Sequence, residues 1–254
     1  MSDDEIDVSL FEEPEGFRPP PPEPHFATYD RKIPGAKPST IEMRLVGKSP
    51  LWGHMLWNAG IYTADYLDKH SRELVRGKRV LELGAAAGLP SLVCGLNEAA
   101  YVLSTDYPDP DLIDNIQYNV DHTPDAKNIE VKGYIWGNDI GAMMFNEENK
   151  AAKEDEKFDL IILSDLIFNH NQHHNLLKSC KQLLNASGLI FVVFSPHRAH
   201  LLHEDLKFFE TCKEYGFKSR QNDMQIWKPM FEEDEETAEI RSRVYSYFLE
   251  WDDQ

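Results

Sequence analysis

The sequence contains few cysteines and no long apolar run. Its three cysteines (Cys94, Cys180 and Cys212) are scattered and form no CxxC pair, so neither a disulfide scaffold nor a cysteine zinc site is expected. No apolar run approaches the roughly 20 residues that a helix needs to cross a bilayer. The acidic opening MSDDEIDVSL also differs from the basic start of a signal or transit peptide. We therefore expect a cytoplasmic protein.

Basic residues are scarce as well. Lys and Arg total 26 against 44 Asp and Glu, which gives the chain a formal net charge of -18. A surface this negative repels the phosphates of nucleic acids and anionic membranes, and it attracts basic partners. We expect no nucleic-acid partner and no membrane partner. A lysine-rich protein segment would be steered toward such a surface, although solubility alone is an alternative reason for the charge.

The first forty residues differ in composition from the rest. They join the acidic opening to the proline-rich segment FEEPEGFRPPPPEPHF, which cannot form a long helix or a central strand. We interpret residues 1–40 as an acidic, proline-rich N-terminal arm. It is either a flexible tail or an extended segment that its aromatic residues anchor on the domain. Residues 41–254 are predicted to form a single folded domain.

From about residue 50, helix and strand patterns alternate along the chain. Apolar residues at helical spacing cover residues 51–67, 88–100, 110–120, 173–188 and 200–215. Short apolar runs typical of strands cover residues 79–84, 101–106, 131–136, 158–165, 189–196, 225–230 and 243–251. This order predicts an α/β fold with a doubly wound, mostly parallel seven-stranded sheet. The last two strands are predicted to form a terminal hairpin that makes one strand antiparallel.

The segment Glu82-Leu83-Gly84-Ala85-Ala86-Ala87-Gly88 follows the first strand of this sheet. Ligands of open parallel sheets bind outside the carboxyl ends of the strands, and small residues there let the backbone approach a cofactor closely. The segment lacks the GxGxxG fingerprint of pyrophosphate binding, which weakens a dinucleotide interpretation. A tight strand–helix turn packed with alanines is the alternative interpretation.

Three later strands also end in distinctive side chains. Asp106 lies 22 residues after Gly84, the position from which an acid accepts hydrogen bonds from both hydroxyls of a ribose; its alternative role is to cap the next helix. The indole of Trp136 would lie against an adenine ring or in the core. Asp165 follows a fully apolar strand, where burying a carboxylate is costly unless something compensates it; it is therefore a functional candidate, and helix capping is its alternative role. Together these residues describe a pocket for an adenosine without a pyrophosphate, namely S-adenosylmethionine.

The segments ELGAAAGLP, LSTDYPDPDLIDNI, YIWG and SDLIFNH resemble the motifs of the lysine-type, seven-stranded class I methyltransferases. SPLWGHMLWNAGIYTADYL and LFEEPEGFRPP resemble the fungal members that modify elongation factor 1-alpha, and the resemblance runs from Leu10 to the last strand. It implies S-adenosylmethionine as methyl donor and elongation factor 1-alpha as partner, methylated on its N-terminal glycine and then on the adjacent lysine. It also implies cofactor contacts at Trp57, Gly84, Ala85, Ala86, Asp106, Trp136 and Ser164. The turn reads AAG where relatives often have GTG.

Methyl transfer to nitrogen requires an unprotonated amine held close to the methyl group. We expect Asp165 to be the catalytic residue, orienting this amine, and Phe168 and His170 to line the substrate channel. His170, His173 and His174 also invite a metal interpretation, but no cysteine or carboxylate joins them at ligand spacing. We expect no metal.

Other functions remain open at this point. A small-molecule amine methyltransferase, for example one acting on nicotinamide, would use the same sheet and donor pocket. A non-catalytic cofactor-binding protein is a further alternative. A nicotinamide dehydrogenase is weakened by the missing third glycine.

Overall fold

The computed structural model describes residues 22–231 and 235–252, so residues 1–21 of the predicted arm lie outside the described residues. The strands are β1 (His25–Asp30), β2 (Thr40–Leu45), β3 (Arg79–Leu83), β4 (Tyr101–Asp106), β5 (Ile129–Gly133), β6 (Phe158–Ser164), β7 (Leu184–Phe194), β8 (Phe217–Ile226) and β9 (Arg243–Trp251). The helices are α1 (Asn58–Lys69), α2 (Ser71–Leu74), α3 (Leu89–Leu96), α4 (Pro110–Asp121), α5 (Ile140–Phe145), α6 (His173–Leu183), α7 (Leu202–Thr211) and α8 (Ala238–Arg241).

Seven strands form one sheet in the order β5-β4-β3-β6-β7-β9-β8. The pairs among β3, β4, β5, β6 and β7 are parallel, and β9 runs antiparallel to both β7 and β8. The predicted doubly wound sheet with a terminal hairpin is therefore confirmed. From β3 the chain first builds outward to β5 and then returns to β6, so the strand order reverses between β3 and β6. This reversal is the place where open α/β sheets bind their ligands.

Apolar residues fill most of the two central strands, β3 and β6, because helices cover both faces of the sheet. In β3, the side chain of Val80 joins a core cluster with residues of α1 and α3. Its neighbours Leu81 and Leu83 join the opposite cluster, which includes residues of α6. Leu163 of β6 belongs to that same cluster. The two-residue alternation of strand side chains thus divides one apolar run between two cores.

The first predicted helix begins later than its apolar spacing indicated. Residues 50–55 form turns and bends, and α1 spans Asn58–Lys69. Ser49 initiates the turns, since its hydroxyl accepts a hydrogen bond from the Leu51 amide at 3.1 Å and its carbonyl accepts one from Trp52. Trp52 has φ of 65°, a conformation that a helix cannot contain.

Other elements also begin or end at different residues than predicted, because strand pairing sets their boundaries. The helix predicted for residues 173–188 ends at Leu183, because Leu184 starts β7 and pairs with Phe158 of β6. The strands predicted for residues 131–136 and 225–230 lie earlier in the chain, as β5 and β8. The short helix α5 was not predicted. Among the residues the structure describes, no helix is long and apolar enough to cross a membrane.

The strands β1 and β2, which precede the main sheet in the chain, form a separate antiparallel hairpin that packs on the domain. Tyr29 of β1 is buried, and its hydroxyl donates to Asp65 of α1 at 2.8 Å. Arg31 forms a bidentate ion pair with Asp68 of α1, with N–O distances of 2.6 and 2.9 Å. The boundary that we placed after residue 40 falls inside β2, directly after its first residue, Thr40.

Candidate functional site

The site lies at the carboxyl ends of β3, β4 and β6. Leu83, at the end of β3, pairs with Thr105 of β4 on one side and with Leu163 of β6 on the other. The loops that follow the three strands therefore start at neighbouring points of one sheet edge. This register brings the glycine turn, the Asp106 region and the Asp165 region into one place.

The turn after β3 has an unusual backbone. Gly84 and Gly88 have φ of 66° and 78°, and Ala86, although it carries a Cβ, has φ of 52°. A Cβ added to Gly84 would lie 2.5 Å from Cδ2 of Leu166 and 3.2 Å from Cζ2 of Trp136. Only glycine fits this point without displacing its neighbours. Trp136 and the segment that follows Asp165 thus meet at the glycine turn.

Asp106 holds this turn in place. Its Oδ2 accepts a hydrogen bond from the Ala86 amide at 2.7 Å, and its Oδ1 accepts one from the Tyr107 amide at 2.7 Å. Each carboxylate oxygen keeps a further lone pair, so two ribose hydroxyls have acceptors here. Burial raises the pKa of Asp106 against the opposing effect of the two amide hydrogen bonds. The alternative of a helix cap is wrong, because α4 is capped by Asp109, whose carboxylate accepts from the Asp111 amide.

A second carboxylate lies under the turn, within the sheet. Glu82 is 1% exposed, and its Oε2 accepts hydrogen bonds from the amide of Ser91 at 3.0 Å and from its hydroxyl at 2.5 Å. Burial raises the pKa of Glu82 to about 8, although both bonds from Ser91 lower it. The two bonds fix the start of α3 to the end of β3. Glu82 therefore sets where the turn between them lies.

Asp165 is held between two segments of the chain. Its φ is 57°, and its amide donates to the carbonyl of Val193 in β7 at 2.8 Å. Its Oδ1 accepts from the Ser195 amide at 3.3 Å, and its Oδ2 lies 2.8 Å from Nε2 of His197. The preceding residue, Ser164, accepts a hydrogen bond from the Thr63 hydroxyl of α1 at 3.3 Å. The expectation that Asp165 orients an amine stays a prediction.

His197 is a site residue that we did not predict from the sequence. Its ring centroid lies 4.9 Å from that of Trp57 and 6.2 Å from that of Phe231, and these two rings lie 6.0 Å apart, all at steep angles. We call Trp57, His197 and Phe231 the aromatic cluster. The available sequence signal was a histidine in SPHR, directly after the strand predicted for residues 189–196, at the same sheet edge as the other candidates.

Phe168 and His170 lie on the segment between Asp165 and α6. The carbonyl of Phe168 accepts a hydrogen bond from Arg198 at 2.7 Å. Nε2 of His170 lies 2.7 Å from Asp205 of α7. The other two histidines of the predicted metal alternative have protein partners as well, the carbonyl of Ile167 and the hydroxyl of Tyr215. Within the described ranges, no group of three metal-binding side chains is found. A role in the substrate channel stays a prediction for both residues.

The chemistry of the edge fits a methyl-donating nucleoside. The half-buried carboxylate of Asp106, with its spare acceptors, suits a pair of hydroxyls, and the indole of Trp136 beside Gly84 suits a flat base. The buried hydroxyl of Ser195, beside Asp165, has no hydrogen-bond partner among residues 22–231 and 235–252. A buried polar atom of this kind marks a place for a water or a ligand atom.

Comparisons with known proteins agree with this chemistry. The model of the lysine methyltransferase family matches residues 41–215. The protein N-terminal and lysine N-methyltransferase EFM7 of Candida albicans is 59% identical over 99% of this chain and 100% of its own. The protein of the same name from Debaryomyces hansenii is 60% identical over 98% of each chain.

A solved structure supports the fold. TYW2 of P. horikoshii, in complex with MeSAdo, superposes with a TM-score of 0.53 over 82% of this chain and 68% of its own. Its sequence is only 13% identical, so the likeness bears on the architecture alone.

Proposed function

This chain belongs to the lysine methyltransferase family, and from that premise we propose a function for the site at the sheet edge. The protein is an S-adenosylmethionine-dependent N-methyltransferase that acts on protein amino groups. The observation that carries this proposal is Asp106, which braces the glycine turn through the Ala86 amide and keeps acceptors for two hydroxyls. A dinucleotide would need a third glycine that the turn lacks.

Seven residues would hold the methyl donor. Asp106 would bind the ribose and Trp136 would lie against the adenine, while the other contacts are proposed at Trp57, Gly84, Ala85, Ala86 and Ser164. When bound, S-adenosylmethionine supplies an electrophilic methyl group on a sulfonium. Fixing this group beside the turn leaves the Asp165 region to receive the second substrate.

The protein substrate that we propose is elongation factor 1-alpha. The N-terminal glycine would be methylated first and the adjacent lysine next. An α-amino group has a pKa of about 7.7–8.0 and a lysine about 10.4, so the terminus is the easier nucleophile near neutral pH. The names of the two fungal relatives, protein N-terminal and lysine N-methyltransferase, support both acceptor types. The formal net charge of -18 favours a lysine-rich acceptor.

Asp165 is proposed to orient the incoming amine, and Phe168 and His170 to line its path. The rings of Trp57 and Phe231 are suited to the walls of such a path, because aromatic faces attract a methylated ammonium through cation–π interaction. Both rings contact His197, which in turn contacts Asp165. The acceptor amine would thus meet a carboxylate and aromatic faces together.

The test is methylation of purified, unmodified elongation factor 1-alpha with S-adenosylmethionine, followed by mass spectrometry of its N-terminal peptide. We expect the α-amine to gain mass in steps of ~14 Da, one CH₂ for each methyl group added, and the adjacent lysine to follow. Nicotinamide and other small amines serve as competing acceptors in the same reaction. Methylation of the small amines without any change in the protein would refute the proposed substrate.

A further inference from the structure

The pair formed by Asp165 and His197 has the geometry of a proton-accepting dyad. Nε2 of His197 lies 2.8 Å from Oδ2 of Asp165, and the two side chains are 15% and 7% exposed. An ionised carboxylate only accepts hydrogen bonds, so the ring donates from Nε2. A neutral ring then carries its lone pair on Nδ1, in the way that a buried aspartate fixes the tautomer of a catalytic histidine.

Charged groups from three segments act on this ring. Burial alone would lower the pKa of His197, but the charge and the hydrogen bond of Asp165, with a smaller contribution from Asp205 of α7, raise it above its usual value. Arg198, the next residue in the loop, opposes the rise. The uncharged rings of Trp57 and Phe231 also contact it. A base so placed is suited to proton transfer near neutral pH.

The position of His197 relates it to both proposed substrates. It contacts Trp57, one of the proposed donor contacts, at a centroid distance of 4.9 Å. It also contacts Asp165, which follows Ser164, another proposed donor contact. A ring between these residues lies where an amine would approach the methyl group.

We propose that His197 accepts the proton of the substrate ammonium and that Asp165 positions its ring for this step. This inference rests on the proposed function. The proton passes from the substrate nitrogen to Nδ1 of His197. The nitrogen lone pair then forms the N–C bond while the carbon–sulfur bond breaks and leaves its electron pair on sulfur. His197 returns the proton to water when the product leaves.

The His197→Gln variant tests the step, because the Gln amide nitrogen can still donate to Asp165 but cannot titrate. The control is His203→Gln, which removes a histidine whose Nε2 lies 3.0 Å from Glu204 on the surface of α7. We would measure kcat on elongation factor 1-alpha from pH 6 to 9.5, donor affinity by calorimetry, and the titration of His197 by NMR.

For the wild type, kcat should rise with pH along an ionisation that coincides with the NMR titration of His197 measured with S-adenosylhomocysteine and elongation factor 1-alpha bound, because kcat reports ionisations of the enzyme–substrate complex. For His197→Gln, kcat at neutral pH should fall by about 100-fold or more, as expected for the loss of a general base. The ionisation should disappear from its profile, and its donor affinity should stay within about two-fold, a margin near 0.4 kcal/mol. The control should match the wild type.

A second variant, Asp165→Asn, gives a readout that does not depend on activity. Loss of the carboxylate charge should shift the NMR titration of His197 to lower pH. An unchanged titration would overturn the positioning role of Asp165, whether or not His197→Gln folds.

Two other results would also overturn the inference, and they differ in what else they overturn. If the wild type is active and His197→Gln keeps the same kcat and pH profile, only the inference fails. If the wild type binds the donor but methylates no protein amine, the proposed function fails and the inference falls with it.

Discussion

Ala86 and Asp165 are two site residues that carry a Cβ and nevertheless have left-handed backbones, with φ of 52° and 57°. For alanine this conformation costs about 1–2 kcal/mol, whereas aspartate adopts it more readily, and it persists where the surrounding structure fixes the backbone. At Ala86 it accompanies the amide hydrogen bond to Asp106. At Asp165 it accompanies the bonds to Ser195 and His197. Both conformations thus place polar atoms of the proposed site.

Removing the carboxylate of Asp165 should separate chemistry from donor binding. We expect Asp165→Ala to reduce kcat by at least about 100-fold, since it removes the group that positions the amine and His197. Donor affinity, measured by calorimetry, should stay nearly unchanged because the proposed ribose contact is Asp106. Joint loss of donor binding and turnover in a folded variant would contradict this division of roles.

The buried Glu82 predicts a pH-dependent stability. Its pKa is about 8 in the folded protein and about 4.3 in an unfolded chain. Between these values the folded state binds the extra proton, so stability is lost as pH rises through this window. The Gln of Glu82→Gln keeps an acceptor for Ser91 but cannot ionise. The Tm of Glu82→Gln minus that of the wild type should therefore increase from pH 5 to pH 8. A Tm difference that is the same at both pH values would refute the assignment.

At the scale of elements, a buried ion pair next to the β1–β2 hairpin helps to attach the hairpin to α1. The side chains of Arg31 and Asp68 are 4% and 2% exposed, so Arg31→Ala leaves a buried carboxylate without its cation, although the Asn97 amide still donates to it at 2.8 Å. We expect a loss of about 3–5 kcal/mol, which lowers Tm by roughly 6 °C or more for a protein of this size. Thermal unfolding measures the effect.

Two further variants control this prediction. Lys32→Ala removes a neighbouring lysine, 65% exposed, that pairs with Asp65, and it should change stability by less than about 1 kcal/mol. The double variant Arg31→Met with Asp68→Leu removes both charges and should recover much of the lost Tm, because no buried charge remains unpaired. A double variant less stable than Arg31→Ala would show that the pair itself stabilises the fold.

Elements with a strong local pattern could be predicted from the sequence. The strands that end at Asp106 and Trp251 were placed correctly, because each is rich in apolar residues and has turn-forming residues at its ends. The helix predicted up to Gly188 was too long, because the apolar Leu183 and Leu184 continue its pattern while pairing with Phe158 decides the boundary. The polar strand β8 has no apolar run and is defined by its partner β9.

The same limit applies to the site. The glycine turn and Asp106 follow strands with a clear pattern, so their common sheet edge could be inferred from the order of elements. The contact of Asp165 with His197 spans 32 positions of the chain. No local pattern encodes it, because it depends on the register of β6 against β7.

At the scale of the whole molecule, the formal net charge of -18 should act on substrate association. A basic protein segment is attracted over distances near the Debye length, about 10 Å at 0.1 M salt, and added salt shortens this range. We expect the KM for elongation factor 1-alpha to rise several-fold between low and moderate salt, with little change in kcat. Steady-state kinetics across a salt series measure this. A KM that does not respond to salt would contradict electrostatic steering.

The most direct test of the donor site is calorimetric titration of S-adenosylmethionine and S-adenosylhomocysteine into the wild type, Asp106→Asn and Asp109→Asn. The wild type should bind both ligands at one site. Asp106→Asn should bind about 10- to 100-fold more weakly, the loss expected for hydrogen bonds to a charged group. Asp109→Asn removes a nearby carboxylate that caps α4 and is not a proposed donor contact, and it should bind nearly as the wild type does. A wild type that binds neither ligand, or an Asp106→Asn variant that binds as tightly, would contradict the account.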